Sequence, residues 1–244
     1  MANRKRSRRS RSKTKGLSKL QKKEVKDMCL SAGETKVKEY FNSEVKITSE
    51  DATPYAFNLL NISKGSSGNQ RIGLQLRLIG FHHRKFFHNA NYTLADGTVQ
   101  SKAGIVRECV IRIKNEVNNL QAENHLFLKN GNVTAFSLTN EKERYYLPLN
   151  TKSLDVIYER THKLARKSNA IAGINYDNNK IVSTFKKQSK VIKYLVDTPD
   201  SGEQVPNYQY IYMAWVCTAD MDSDASNYTD IELSSSMRVF YKDQ

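Results

Sequence analysis

The sequence predicts an all-β protein: a single antiparallel β jelly roll, built as an eight-stranded sandwich, with a disordered basic N-terminal arm. Three observations predict this class. From about residue 35 onward, apolar residues alternate with polar ones along several segments. Turn-rich stretches separate these segments, and no long amphipathic helical pattern interrupts them. Eight or so strands joined by long, irregular loops favour a sandwich or jelly roll over a meander of tight hairpins.

Four segments carry the clearest strand patterns. Apolar residues take every second position in 72–78, 109–113 and 231–239, which predicts strands with one buried face. Just before the second of these segments, Glu108 falls on the face opposite the apolar residues. Segment 208–217 is apolar on both faces and is predicted to be a central strand. Weaker patterns predict strands at 37–41, 56–62, 81–88, 133–138, 154–158 and 191–196.

The three cysteines, Cys29, Cys109 and Cys217, are odd in number and far apart. This spacing excludes a disulfide framework and a Cys-x-x-Cys metal site. Cys109 and Cys217 lie in apolar runs, where a free thiol packs as a small hydrophobic group. We therefore expect a reduced, intracellular compartment. The N-terminus shows no apolar signal stretch, and no run approaches the roughly 18 apolar residues of a membrane span.

Positive charge is concentrated at the N-terminus. The chain carries a net charge of +14, and residues 1–26 hold twelve Lys or Arg against one acid, Glu24. This segment therefore contributes +11 and leaves only +3 for the other 218 residues. Such a block repels itself and has little apolar surface to bury, so it does not fold alone. The predicted nucleic-acid-binding residues are Arg4, Lys5, Arg6, Arg8, Arg9, Arg11, Lys13, Lys15, Lys19, Lys22, Lys23 and Lys26.

The arm, residues 1–33, is interpreted as a polyanion-binding segment, and residues 34–244 as the shell domain of the jelly roll. Arginine forks bind phosphate oxygens in pairs, and each neutralised phosphate releases counterions. Phosphate contacts carry no sequence information, so the arm predicts non-specific binding that weakens with salt. The same run would serve as a nuclear-import signal. A solubilising tail and an acidic membrane surface are the less favoured alternatives, and no membrane insertion is expected.

A short helix is predicted after the first part of the arm. Ser18 and Gln21 have the spacing of a capping box, in which two side chains satisfy the free N–H groups of the first turn. Gly33 offers a stop. This cationic helix would either face nucleic acid along an inner surface or act as a hinge, and the sequence leaves both alternatives open.

Several clusters invite other interpretations. His82 and His83 are adjacent on a predicted strand and point to opposite faces, so with His88 they favour a solvent- or phosphate-facing cluster over a zinc site. The alternating carboxylates of Asp220, Asp222 and Asp224 lack the glycine of a calcium loop. An acidic surface loop is favoured there, and a Ca²⁺ site between subunits stays open as the only cofactor considered. Core packing is favoured over base stacking for Trp215 and the tyrosines at 208, 210 and 212.

Segment 65–80, GSSGNQRIGLQLRLIG, resembles the capsid proteins of small circular, Rep-encoding single-stranded DNA viruses (circovirus-like), and also the shell proteins of satellite necrosis viruses. In those families a Gly- and Asn/Gln-containing turn leads into an Arg-x-Gly step, here Arg71-Ile72-Gly73, and then an alternating strand. The resemblance implies an icosahedral shell of about sixty copies, the simplest (T=1) arrangement, with the arms pointing inward. It also favours DNA over RNA as the packaged genome, an alternative that the phosphate contacts of the arm leave open, and it implies a virion location with assembly in the host nucleus.

The sequence bears on three classes of function. A self-assembling capsid protein fits a near-neutral body joined to a polycationic arm. The alternative is a cellular RNA- or DNA-binding module with a basic tail, which would carry its charge on the folded body. An enzyme is not expected, because no catalytic motif is present. Four cations of the body have two interpretations: they contact further phosphates of the nucleic acid, or they lie on solvated strand faces. These residues are Arg71, Arg77, Arg84 and Lys85.

Overall fold

The computed structural model describes residues 33–89, 92–93, 99–100, 103–114, 121–164, 179–194, 206–218 and 230–243, together with Ser18, Leu20 and Gln21. All described strands belong to one compact unit, Thr35–Gln244. The strands are β1 (Lys36–Thr48), β2 (Tyr55–Asn58), β3 (Gln75–Asn89), β4 (Tyr92–Thr93), β5 (Val99–Gln100), β6 (Gly104–Ile113), β7 (Phe127–Lys129), β8 (Asn132–Thr134), β9 (Leu154–Leu164), β10 (Lys180–Lys193), β11 (Tyr210–Thr218) and β12 (Asp230–Asp243).

Helical structure in this unit is short. Helix α1 spans Glu141–Tyr146, and two 3-10 turns cover Ala122–His125 and Phe136–Leu138. Asn140 caps α1 through a capping box, in which its side chain accepts from the backbone N–H of Glu143. None of the helices in the part of the chain that the structure describes is long and apolar enough to cross a membrane.

Eight strands form two four-stranded antiparallel sheets. Sheet A has the order β1-β12-β3-β10, and sheet B has the order β2-β11-β6-β9. The first of the eight strands pairs with the last, the second with the seventh, the third with the sixth, and the two middle strands with each other. The chain is therefore a long antiparallel ribbon whose successive pairs alternate between the sheets. This wrapping is the jelly-roll topology, so the predicted fold class is confirmed.

The main core lies between the two sheets and follows the predicted alternation. In β12, Ile231, Leu233, Met237 and Val239 are all buried. The central strand β11 is buried on both faces, as predicted: Tyr210 and Tyr212 belong to the core between the sheets, whereas Met213, Trp215 and Cys217 belong to a second cluster. Core packing of the aromatic residues in this strand is thus confirmed.

The second cluster lies on the side of sheet B that faces away from sheet A. Segment 121–150, which we call the excursion, contains β7, β8, α1 and the two 3-10 turns. It contributes Leu126, Phe127 and Phe136 to the cluster, and these residues pack against Trp215 of β11. Sheet B is consequently covered on both faces, and this explains why β6 buries Cys109 and Ile111 as well as Glu108 and Val110.

The start of the strand predicted at 72–78 was wrong, whereas the segment predicted at 81–88 is a strand. A single strand, β3, replaces the two strands predicted at 72–78 and 81–88, and it begins only at Gln75. Ile72 and Leu74 are 61% and 46% exposed. Arg71 is buried instead, since its guanidinium donates to the carbonyls of Ile62 and Gly73 and lies 4.0 Å above the ring of Tyr194. A guanidinium with satisfied donors and an aromatic partner is stable in that position.

Strand β10 was mostly missed by the sequence pattern. Only its last residues fall within the strand predicted at 191–196, whereas the strand itself runs from Lys180 to Lys193. It forms an edge of sheet A, where one face is exposed, and the register shifts between Lys187 and Lys190. Apolar residues fall on both faces of this strand, with Val182 buried and the neighbouring Ile181 exposed, so the period-2 pattern is weak.

Shorter predicted segments were partly confirmed. The strand predicted at 56–62 ends at Asn58, and the one predicted at 133–138 is a short strand followed by a 3-10 turn. The capping box at Ser18 is present, because the N–H of Ser18 donates to Gln21 Oε1 at 3.0 Å and the N–H of Gln21 donates to Ser18 Oγ at 3.2 Å. The helix that should follow lies mostly outside the described residues.

Candidate functional site

The two sets of site residues predicted from the sequence lie outside the described residues. All twelve arm cations, from Arg4 to Lys26, fall in the undescribed part of the chain. The same holds for Asp220, Asp222 and Asp224. Nucleic-acid binding by the arm, the domain boundary at residue 33 and a Ca²⁺ site therefore stay predictions.

A buried polar network joins the two sheets. Lys85 of β3 places its Nζ 2.6 and 2.7 Å from the two carboxylate oxygens of Glu108 of β6, and both side chains are fully buried. His162 Nε2 lies 2.9 Å from Glu108 Oε1, and the hydroxyl of Tyr212 donates to Oε2 at 2.9 Å. The interpretation of Lys85 as a phosphate contact is therefore wrong, since its charge is already paired inside the core.

The pKa shifts in this network follow from burial and charge. Burial opposes ionisation of Glu108, but the hydrogen bond with His162 and the charge of Lys85 outweigh it and hold the pKa of Glu108 at about 2. Burial lowers the pKa of Lys85, and the carboxylate of Glu108 opposes that shift. Burial and the neighbouring Lys85 lower the pKa of His83 to about 3. The network thus stabilises one charged arrangement and is closed to solvent, so it ties the sheets together.

The outer face of sheet A, the one turned away from sheet B, is the accessible surface with the most distinctive chemistry. Its side chains are exposed or half-buried. Phe41, Ile181 and Phe185 are 74%, 79% and 57% exposed. The cross-strand register places the following residues on this outer face: Glu39, Phe41, Lys46, Arg77, His82, Arg84, Phe86, His88, Ile181, Phe185, Lys187, Lys193, Glu232, Arg238, Phe240 and Lys242.

Aromatic rings on this outer face are neighbours of one another. Phe185 lies 6.5 Å from His82 and 6.3 Å from Phe240, measured between ring centroids. The rings of Phe86 and His88 are nearly parallel, with centroids 6.3 Å apart. Sequence reasoning missed this cluster because it missed β10. The signal was present in the spacing of Ile181, Ser183, Phe185 and Lys187, which alternates with the buried residues of that strand.

Cations surround the aromatic rings. Seven Lys or Arg share the outer face of sheet A with two acids that pair in register among the described side chains, Glu39 and Glu232. The cations are Lys46, Arg77, Arg84, Lys187, Lys193, Arg238 and Lys242. Glu39 already accepts a hydrogen bond from Arg238 at 3.0 Å. Arg84 is exposed and has no hydrogen-bond or ion-pair partner within the described ranges. Of the four body cations considered from the sequence, Arg77 and Arg84 therefore lie on this surface, while Arg71 and Lys85 are buried.

The predicted alternation of the histidines is confirmed. His82 lies on the outer face of sheet A and hydrogen bonds with Ser183 Oγ at 2.8 Å, whereas His83 points into the core and lies 3.4 Å from the hydroxyl of Tyr158. His88 pairs with Asn179 on the outer side. Within the ranges that the structure covers, no three His, Cys, Asp or Glu side chains converge as a metal site.

The excursion forms the opposite surface of the molecule. Arg107 of β6 holds it in place, because its guanidinium donates to the carbonyls of Arg144 and Tyr145 in α1 and to the carboxylate of Glu159. The indole N–H of Trp215 also donates to the carbonyl of Arg144, at 3.1 Å. Leu138 and Tyr146 project from the excursion and are exposed, so this surface carries isolated apolar side chains over a packed layer.

Comparison with known proteins yields weak matches. No protein-family model matches the sequence, and no curated protein matches it. Among solved structures, the VP2 subviral particle of infectious bursal disease virus is 12% identical, with a TM-score of 0.28, over 84% of this chain and 32% of that chain. VP1 of the trichodysplasia spinulosa-associated polyomavirus, in complex with GM1 oligosaccharide, is 9% identical, with a TM-score of 0.24, over 85% and 93%.

The chain thus spans about a third of the length of the VP2 chain that it matches. Scores this low establish neither a shared fold nor a shared function. The jelly-roll assignment follows from the strand order of the two sheets alone.

Proposed function

We propose that the chain is a viral capsid protein whose jelly-roll body self-assembles into an icosahedral shell of about sixty copies. In this proposal the arm, Arg4 to Lys26, binds the packaged single-stranded nucleic acid, with DNA favoured. The observation that carries the proposal is the division of charge: +11 lies in the first 26 residues, and +3 is spread over the rest of a chain that folds as a jelly roll.

The jelly-roll fold limits the number of plausible functions but does not select one of them. Jelly rolls occur in viral capsids, lectins and cupins, so the topology alone does not assign a function. A lectin or an enzyme built on this fold has no need of a polycation at its N-terminus. A shell protein does, because its body must contact other bodies while a separate segment contacts the cargo. The near-neutral body and the polycationic arm meet these two requirements.

The size of the charge supports packaging. About sixty arms of +11 would place roughly 660 positive charges inside the shell, which would balance several hundred nucleotides. A longer genome would require further cations, and the outer face of sheet A offers seven Lys or Arg per copy. The Arg-rich run at residues 4–11 would also serve nuclear import by host receptors, which fits assembly in the nucleus and release in virions.

Electron microscopy and light scattering of the recombinant full-length protein, with the 260/280 nm absorbance ratio, test the proposal. We expect closed, uniform particles with a nucleic-acid absorbance signature. A small monodisperse species that binds oligonucleotides without assembling, across a range of salt and pH, would overturn the capsid assignment. It would favour the alternative, a cellular RNA- or DNA-binding module with a basic tail.

Two variants at the same three positions, one that removes the positive charge and one that keeps it, test the role of the arm. Replacing Arg8, Arg9 and Arg11 by Gln should lower the slope of log K against log salt by about 2 to 3, because about one counterion release is lost for each phosphate contact. Replacing the same three residues by Lys keeps the charge and should keep most of the slope. Equal slopes for the Gln and Lys variants would contradict binding of nucleic acid through the arm.

A further inference from the structure

We propose that the outer face of sheet A is a base-stacking platform for single-stranded nucleic acid, separate from the phosphate-binding arm. This inference rests on the proposed function for the source of the nucleic acid. It assigns the bases to the aromatic rings of the sheet and assigns part of the backbone to the cations around them. The arm and the platform would then recognise two different parts of the same strand.

The aromatic rings provide the stacking positions. Phe41 and Phe185 present 74% and 57% of their surface to solvent, whereas other phenylalanines of sheet A, such as Phe81 and Phe87, are buried in the core. The ring of Phe185 on β10 lies 6.5 Å from that of His82 on β3 and 6.3 Å from that of Phe240 on β12. Sequence-tolerant binding of single strands uses such a row of rings, each stacking on a base.

The cations provide the phosphate contacts. Arg84 lies directly across from Ser183 and Ser236 on the neighbouring strands, between Phe86 and His82 of its own strand. Arg77 and Lys187 extend the positive surface along the sheet. With Lys46, Lys193, Arg238 and Lys242, seven Lys or Arg share the face with the described acids Glu39 and Glu232, and Glu39 is already paired with Arg238. Cations that alternate with rings match a strand whose phosphates alternate with bases.

A second copy of the chain fits this surface less well than nucleic acid does. Two identical faces placed against each other would oppose like charges, and such juxtaposition costs several kcal/mol. The rings are also spread among charged and polar side chains, including Arg84, Ser183 and Ser236, whereas the core of a stable interface between subunits is depleted of charge. A base stacked on Phe185 leaves its phosphate within reach of these polar neighbours.

The full-length Phe185→Trp variant provides a direct test. The protein has one tryptophan, Trp215, which is buried, so the substitution adds an exposed fluorescent reporter to the platform. The probes are a single-stranded oligodeoxynucleotide and an abasic oligomer of equal length. We expect the base-containing strand to quench the new emission and the abasic strand to leave it unchanged, even where both bind the arm equally by fluorescence anisotropy.

Leu138→Trp is the matched control, because Leu138 is as exposed as Phe41 but lies on the excursion, on the other side of the molecule. Its emission should not respond to either oligomer. In a competition assay, Phe185→Ala should weaken binding of the base-containing strand about tenfold and Phe185→Tyr should retain it, since stacking contributes about 1–3 kcal/mol per base.

Three outcomes would overturn the platform. Equal quenching by both oligomers, or none while anisotropy shows binding, would leave the arm as the only contact. A blue shift on assembly without nucleic acid would mean that a second copy covers the face. A response to anionic lipid vesicles alone would indicate a membrane surface. Absence of particles together with base-dependent quenching would instead overturn the capsid proposal and keep the platform.

Discussion

The outer faces of the two sheets carry similar sequence patterns, but one face is buried and the other is exposed. On sheet B, Cys109, Met213 and Trp215 are buried beneath the excursion. On sheet A, Phe41, Phe185 and Ile181 remain exposed, although they too occupy alternate positions of long strands. The difference teaches that alternation decides which residues share a face, whereas burial depends on whether another segment of the chain covers that face.

Covering one face also requires specific polar contacts. The backbone carbonyls of the excursion need hydrogen-bond donors, and Arg107 donates to two of them in α1. The charge of Arg107 is paired with Glu159. Sheet A has no equivalent anchor among the described residues of its outer face, where Arg238 pairs with the exposed Glu39. An exposed pair of that kind contributes little to stability and holds no covering segment in place, so the outer face of sheet A stays accessible.

Truncating one aromatic residue on each outer face should produce the largest contrast. Trp215→Ala should lower the free energy of unfolding by about 3–5 kcal/mol, because it leaves a cavity beneath the excursion and removes a hydrogen bond to Arg144. Phe185→Ala should change it by less than about 0.5 kcal/mol, since the ring is already largely in water. Urea denaturation of both full-length variants checks this, and similar losses would mean that the two faces are equally buried.

Substituting a glycine in β3 should change the free energy of unfolding less than Trp215→Ala does, and it tests how closely β3 and β10 approach each other. A Cβ atom added at Gly80 would lie 2.5 Å from the carbonyl oxygen of Lys186, beside the bulge of β10. Gly80→Ala should therefore cost about 1–3 kcal/mol through strand displacement. Gly68→Ala, which meets no atom within 4 Å, is the matched control and should be near neutral in thermal unfolding. A neutral Gly80→Ala would show that the two strands separate easily.

Two adjacent histidines should separate the inner and outer sides of sheet A by their pH dependence. The pKa of His83 is held at about 3 in the folded protein, against about 6.5 unfolded, so the unfolded state binds more protons between these values. Stability should fall as the pH falls from 6.5 toward 3, with a contribution of at most about 1.4 kcal/mol per pH unit.

Chemical denaturation at several pH values measures this slope. His83→Gln should flatten it over the upper part of the range, above the ordinary carboxyl pKa of 4.5, where Glu108 is ionised in both the folded and the unfolded state. His82→Gln is the control on the outer face, where burial also lowers the pKa of the histidine but the ring is only partly buried. Loss of the slope in the His82 variant alone would reverse the assignment of the two sides.

The sequence was sufficient where packing repeats a simple period. The alternation in β12 and the two-sided apolar pattern of β11 predicted their burial, and the number of strands with long loops predicted the jelly roll. These features depend on residues that are close together in the chain. They follow from the geometry of a strand, whose neighbouring side chains point to opposite faces.

The fate of individual charges was not predictable in the same way. Lys85 and Arg84 are adjacent and look alike in the sequence, yet one is paired with Glu108 in the core and the other faces solvent. The pairing joins β3 to β6 through the interior of the sandwich, and no local pattern encodes it. The burial of Arg71 was missed for the same reason, because its partner Tyr194 follows the last residue of β10 and is distant in the sequence.

The ribbon topology also has a consequence for the timing of folding. The last strand, β12, lies between β1 and β3 at the centre of sheet A, so a growing chain on the ribosome cannot complete that sheet until residue 243 has emerged. Contacts between such distant parts of a chain form slowly. Nascent chains would therefore remain incompetent for association during translation, and an aromatic, basic surface would exist only on finished molecules.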